Sequence, residues 1–278
     1  MVATLGEKHV MTYILFFDVD GTLVTQKDGQ QYIPPSALAA MRDARRRGCR
    51  LYLCTGRSLA EARTIGDLPV DGIIGAAGGF VLDGETMVAH QTLGEEAVCE
   101  IEAYLQFCGG NYYLECNEGL YADEGYRAYM SSAWGIDDNP AFLSIVHSVD
   151  EADRSRVNKV SFRIPEGTSF EQVQEALGAR FHLVRSSFDS SATAGEVSVM
   201  GVSKATAIDE LLDYLDLGEV RTFGFGDSMN DAEMLQRCDE AIVMGDARHP
   251  EMKELATYVT ASVLEDGIAQ AMRHFGLA

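Results

Sequence analysis

The sequence predicts an α/β protein in which a parallel-sheet core is interrupted by a smaller unit of mixed α+β character. Three observations carry that expectation. Apolar runs alternate with amphipathic segments in the first and last thirds of the chain, the pattern of β-α-β units around a parallel sheet. Two of the apolar runs end in acidic turns, Asp18-Val19-Asp20-Gly21-Thr22 and Asp227-Ser228-Met229-Asn230-Asp231. The middle third instead carries hairpin signals and short strands joined by polar turns.

Residues 13–17 are apolar and aromatic, as a parallel strand buried on both faces requires. Residues 34–47 read as a helix, with Pro34 and Pro35 at its start, Leu38, Met41 and Ala44 on one face, and Arg45-Arg46-Arg47 then Gly48 at its end. The triple arginine reads as a solvated helix terminus rather than a binding patch. Strands are expected at 50–54 and 72–74, with a helix over 58–65. A hairpin over 79–90 turns at Asp83-Gly84. In the middle, helices are expected at 95–108 and 169–177, and strands at 112–116, 119–122, 159–164 and 181–187. Alternation returns with helices at 203–214, 230–237 and 251–256 and strands at 221–226 and 241–244. The expected division is a discontinuous core of 1–85 and 190–278 around an inserted unit of 86–189, an ordinary domain size.

The chain has 278 residues, 46% hydrophobic and 23% charged, which suits a globular protein. Its formal net charge of -21 argues against nucleic acid as a partner. An anionic ligand of such a protein needs a local reversal of sign from a cation or from backbone amides. The six cysteines form no C-x-x-C pair and no zinc spacing, so reduced thiols in a cytoplasmic protein are expected. Residues 1–10 include Glu7, Lys8 and His9 and lack a signal peptide's apolar core; Met11 is an alternative start. The apolar run 11–17 is too short to cross a bilayer, so no membrane partner is expected. Monomer and dimer both remain open.

Four segments carry chemistry. Asp18 and Asp20 are two apart at a strand end, so both side chains can face one side. Carboxylates this close repel unless a cation or shared proton relieves them, and a hard cation such as Mg²⁺ is the natural relief. Asp227 and Asp231 supply a second acidic pair at another strand end. Two acidic strand ends in one sheet are either a mutual repulsion or one metal site, at the edge where open parallel sheets collect ligands. Thr55-Gly56-Arg57 follows a third strand, where a hydroxyl and backbone amides can hold phosphoryl oxygens; helix capping is the plainer reading of that tripeptide. Lys204 opens a helix, where a cation opposes the macrodipole and an anionic partner would compensate it.

In this order the four segments resemble motifs one to four of the haloacid dehalogenase-like hydrolase superfamily, and the insertion resembles the cap of its Cof-like subfamily. The likeness runs over nearly the whole chain, including Met244-Gly245-Asp246-Ala247 and Glu265-Asp266-Gly267. It implies a Rossmann-like core and a Mg²⁺-dependent phosphatase of small phosphorylated metabolites, such as sugar phosphates or phosphorylated cofactors. Asp18 would be the nucleophile, passing through an aspartyl-phosphate, and Asp20 the acid and base. Lys204 would neutralise charge. Thr55, Gly56, Arg57 and Asn230 would bind substrate. Asp18, Asp227, Asp231 and the main-chain carbonyl of Asp20 would serve the metal. One departure from the family pattern is Ala77-Gly78-Gly79, where Asn-Gly-Ala is common. The aromatic residues Tyr112, Tyr113, Tyr121, Tyr126, Tyr129 and Trp134 are expected mostly in the core of the cap. A phosphomutase or phosphotransferase using the same intermediate, and a non-catalytic binding protein on the same fold, are the competing readings.

Overall fold

The computed structural model describes residues 11–27, 30–186, 193–247 and 249–278. Along the chain the first elements are β1 (Thr12–Phe17), β2 (Thr25–Lys27), β3 (Gln30–Tyr32), α1 (Pro35–Arg46), β4 (Arg50–Cys54), α2 (Leu59–Arg63), β5 (Gly72–Gly75), β6 (Phe80–Asp83) and β7 (Thr86–His90). Then come α3 (Glu95–Phe107), β8 (Asn111–Glu115), β9 (Leu120–Ala122), α4 (Glu124–Tyr129), α5 (Pro140–Leu143), β10 (Val146–Ser148), β11 (Lys159–Arg163), α6 (Phe170–Leu177), β12 (His182–Arg185) and β13 (Ala194–Ser198). The chain closes with α7 (Lys204–Leu215), β14 (Val220–Gly226), α8 (Ala232–Arg237), β15 (Glu240–Val243), β16 (Tyr258–Val259) and α9 (Gly267–His274).

Two large sheets result. The first runs β16-β15-β14-β1-β4-β5-β6-β7, and its strands β16 to β5 are parallel. The second, β10-β9-β8-β11-β13-β12, is mostly antiparallel. The architecture is therefore the expected α/β core with an inserted α+β unit. Alternation along β1 explains how the first sheet is covered. Leu15 and Phe17 pack into a core shared with α1 and α9, whereas Ile14 and Phe16 face a core shared with α7. Both faces are thus buried beneath helices, as the unbroken apolar run demands.

The chain changes sheets later than expected. β7 pairs with β6, so residue 85 lies inside a hairpin of the first sheet. The first crossing falls between β7 and α3, whose Val98, Ile101 and Leu105 pack with the second sheet. The expected return at 190 lies outside the described residues, as do residues 1–10. β13 beyond it still pairs with β11 and β12, and α7 packs on the first sheet, so the return lies between β13 and α7. The segment expected to be helical at 251–256 is a 3-10 turn over Pro250–Glu254. The hairpin β2–β3 and the C-terminal α9 went unread in the sequence.

The plain readings of the triple arginine and of the aromatic cluster hold. Arg45 pairs with Asp71, and Arg46 and Arg47 both pair with Asp43, so the triple arginine is a solvated helix end. All six cysteines are free; Cys49, Cys54 and Cys116 are buried and Cys99 is exposed. Among the described residues no helix is long and apolar enough to cross a membrane. Tyr113 and Tyr126 are buried in a small core of the inserted unit, edge-on to Trp134.

Candidate active site

Stacking of Phe17 on Phe225, centroids 4.5 Å apart, fixes β1 against β14 at their carboxyl ends. The ladder continues one step further, with the Asp18 amide donating to the Phe225 carbonyl at 2.9 Å. Asp18 and Asp227 therefore leave adjacent strands side by side. Gly21 sits at φ +90°, and a Cβ there would lie 2.3 Å from Asp227 Oδ2. A side chain at position 21 would be strained twice, by its dihedral and by this contact.

Lys204 reaches the same point from the first turn of α7, whose N-cap is Ser203. Its Nζ donates to Asp18 Oδ1 at 2.7 Å and to Asp231 Oδ1 at 2.5 Å. Asp231 Oδ2 accepts from the amides of Asp227 and Ser228 at 3.0 and 3.1 Å, which pins the loop after β14. All four ionisable groups are buried. Burial pushes the Asp18 carboxyl well above the ordinary range, helped by the charge of Asp231 and opposed by Lys204. Burial also works against the Lys204 charge, but Asp18 and Asp231 outweigh it and raise its pKa above the lysine range.

Oxygens of Asp18, Asp227 and Asp231 lie within 4.8 Å of one another. Three buried carboxylates thus face one buried ammonium, a set left short of positive charge. An all-oxygen donor set with that deficit fits a hard divalent cation. The Asp20 side chain stands apart from this cluster. Arg57 Nε and Nη2 grip its two oxygens at 2.8 and 2.6 Å. Burial opposes the Arg57 charge, and the hydrogen bonds and charge of Asp20 more than restore it.

Asp18, Asp20, Thr55, Gly56, Arg57, Lys204, Asp227 and Asn230 all line one cavity of about 710 Å³. Asp231 lies beneath it. Thr55 is buried, and its Oγ1 accepts from the Arg57 amide at 3.2 Å. Asn230 accepts from the Ser228 hydroxyl at 2.5 Å, while the contacts of Lys204 go to Asp18 and Asp231 rather than to Asn230. Ala77 also lines the cavity, and it and Ala76 both have left-handed φ values, 55° and 49°. Among the described residues, none of the aromatic cluster of the inserted unit lines this cavity.

The far wall was not read from the sequence. Lys159 and Glu196, from β11 and β13, line the cavity, and Lys159 Nζ donates to Glu196 Oε2 at 2.8 Å and to the Gly56 carbonyl at 3.2 Å. Glu115 lies 3.3 Å from the same ammonium and accepts from Ser161 Oγ at 2.7 Å. These residues are far apart in sequence and meet only through antiparallel register.

Glu115 gives a pH dependence that can be worked out. Burial pushes it up to about 8, with Glu61 and Glu196 adding to the rise and Lys159 opposing it. An unfolded glutamate loses its proton near about pH 4.3. Between these values the folded protein holds one proton more, so stability falls as pH rises. Lys159 is charged in both states throughout that window, because its neighbouring glutamates outweigh burial and hold its pKa above the lysine range. Thermal unfolding of the parent is expected to lose roughly 2 kcal/mol between about pH 6 and about pH 8.5. Glu115→Gln should flatten that decline, and calorimetry over the range reads the difference.

The fold and this cluster define a family. The chain matches the family model of the haloacid dehalogenase-like hydrolases over residues 15–272 and belongs to that family. It is an enzyme of the phosphatase class. YkrA of Bacillus subtilis (strain 168), which carries a phosphatase name, is 28% identical over 282 residues, 95% of this chain and 98% of that one. The 5-amino-6-(5-phospho-D-ribitylamino)uracil phosphatase YcsE of the same organism is 24% identical over 267 residues, 95% of this chain and 96% of its own. Among solved structures, the subclass IIB sugar phosphatase BT4131 superposes with a TM-score of 0.74 at 26% identity, covering 95% of this chain and 99% of that one.

Proposed function

We propose that the protein is a Mg²⁺-dependent phosphomonoester hydrolase of small phosphorylated metabolites, working through an aspartyl-phosphate on Asp18. The observation that carries this reading is the Lys204 ammonium between Asp18 and Asp231, with Asp227 in the same buried cluster and a cavity lined by Asp18, Lys204 and Asp227. Relatives named as sugar and ribityl phosphate phosphatases support the substrate class. The second sheet would act as a cap that screens the site from bulk water. A cytoplasmic location accords with six free cysteines.

In the first step an Asp18 carboxylate oxygen attacks phosphorus. The bond to the ester oxygen breaks, and Asp20 gives that oxygen a proton. In the second, Asp20 takes a proton from water, the water oxygen attacks phosphorus, and the Asp18–phosphorus bond breaks to release phosphate. Splitting hydrolysis this way replaces one difficult displacement with two easier ones. Thr55 and the amides of Gly56 and Arg57 would hold the phosphoryl oxygens, and Lys204 would offset their charge beside Asp18. Asn230 would orient the phosphoryl group from the opposite rim. Asp20 enters its role only when its pair with Arg57 opens, and an incoming phosphoryl group offers Arg57 the competing anion. Asp18, Asp227, the Asp20 carbonyl and, through its support, Asp231 would hold Mg²⁺. The ion when bound supplies positive charge to the transferring oxygens.

The test is release of free phosphate from an aryl phosphate. Chelation should abolish it, and added Mg²⁺ should restore it and raise Tm. Turnover that survives exhaustive chelation overturns the metal assignment. Isomerised sugar phosphate without free phosphate overturns the hydrolase reading in favour of a mutase.

A further inference from the structure

Lys159, Glu115, Glu196 and Ser161 take no part in the chemistry assigned to Asp18 and Asp20, yet they form a buried charged group at the reaction cavity. Their placement follows from register. Lys159 lies opposite Glu115 on β8 and opposite Ser198 on β13, and Ser161 lies opposite Glu196. Residues two apart share a face, so Lys159, Ser161, Glu115, Glu196 and Ser198 all project to one side. Val160, Phe162, Leu114 and Val197 project to the other and pack with α3 and α6. The apolar side packs under α3 and α6, while the other side is divided: around Tyr113 it packs a small apolar core with α4, and its ionic part faces the cavity, where Lys159, Glu196 and Ser198 form part of the wall.

A buried ionic group is weak evidence for stability, because apolar residues of similar volume would serve as well. Its position on the cavity wall points to a ligand. The Lys159 ammonium donates to the Gly56 carbonyl and to Glu196 and pairs with Glu115. Glu196 differs. Lys159 holds its Oε2, its side chain is 15% exposed, and among the described residues its Oε1 has no partner. The other cations bordering the cavity are engaged: Arg57 with Asp20, Arg185 with Glu171, and Lys204 with Asp18 and Asp231. This wall of the cavity thus presents a fixed anionic acceptor.

We infer that Glu196, locked by Lys159, is a specificity-determining residue. It accepts hydrogen bonds from hydroxyls of a neutral sugar or polyol leaving group and turns away leaving groups that carry a second phosphate. This rests on the phosphatase reading above. Attraction to hydroxyls and repulsion of a second anion act in the same direction, which widens discrimination more than either alone. The Lys159 bond to Gly56 ties this wall to the loop expected to hold the transferred phosphoryl group.

The experiment measures kcat/KM for a hexose 6-phosphate and the matching hexose 1,6-bisphosphate, with an aryl phosphate as reporter of the chemistry. The parent should favour the monophosphate by about 30-fold or more. Glu196→Gln should narrow that ratio about tenfold, mainly through a lower KM for the bisphosphate. Glu196→Ser should narrow it likewise, and Tm of both variants establishes that they fold. A parent that turns over the aryl ester but does not discriminate between the sugar esters, or turns over neither, overturns the inference and leaves the phosphatase reading standing. An unchanged ratio in folded Glu196 variants also overturns it. A parent inactive on all three esters with Mg²⁺ present overturns both.

Discussion

Asp18→Asn is expected to leave a folded protein whose release of phosphate from an aryl ester falls by about 10³-fold or more. The amide is nearly the same shape as the carboxylate, and its oxygen can still accept from Lys204. It cannot form the covalent intermediate. The fold should not suffer, because the substitution removes one of three carboxylates crowded around a single ammonium. Burial and Asp231 already disfavour the Asp18 charge, so its loss should leave Tm unchanged or raised. Circular dichroism and phosphate release on the same preparation read both parts. A folded variant that retains a tenth or more of parental turnover removes Asp18 from the nucleophile role.

Lys204→Met is expected to damage both stability and activity. The side chain is nearly the same length, but Asp18, Asp227 and Asp231 lose their buried counter-charge. Breaking a buried ion pair by removing one partner costs about 3–5 kcal/mol. Removing a preorganised cation from developing phosphoryl charge costs about 10²–10³ in turnover. The two losses should separate when Mg²⁺ is added in excess. The ion relieves carboxylate repulsion and recovers part of the lost Tm, whereas turnover stays low because the Lys204 charge beside the phosphoryl group is still missing. Full recovery of turnover with Tm would reduce Lys204 to a structural counter-ion.

The sequence made part of this site legible for a local reason. Asp18 and Asp227 each follow an unbroken apolar run, and a strand buried on both faces announces where it ends. Lys204 stood out because a cation at a helix start is mildly unfavourable without a partner. What Arg57 does was not local. Its tripeptide suggested contact with substrate, while the folded chain spends the Nε–Nη2 edge of the guanidinium on Asp20, 37 residues away. The ionic wall was hidden more deeply. Glu115, Lys159 and Glu196 are each unremarkable charges in short strands, and only the pairing of β8, β11 and β13 gathers them. The missing register also misplaced the sheet crossings. A strand such as β13 belongs to whichever sheet offers it a partner, and its sequence names neither.

The pairing of β1 with β14 has a consequence for biosynthesis. Thr12 lies beside Val220, so the central ladder joins segments emerging from the ribosome about 200 residues apart. By the time β14 emerges, every strand of the second sheet has already been made. One side of β1 therefore waits with unmet backbone donors and acceptors through most of translation. β14 closes the free side of β1, and with it the acidic cluster, and β15 and β16 then extend the sheet to its edge. A nascent chain stopped before residue 220 would have Asp18 without Asp227 and Asp231, and so an incomplete acidic cluster.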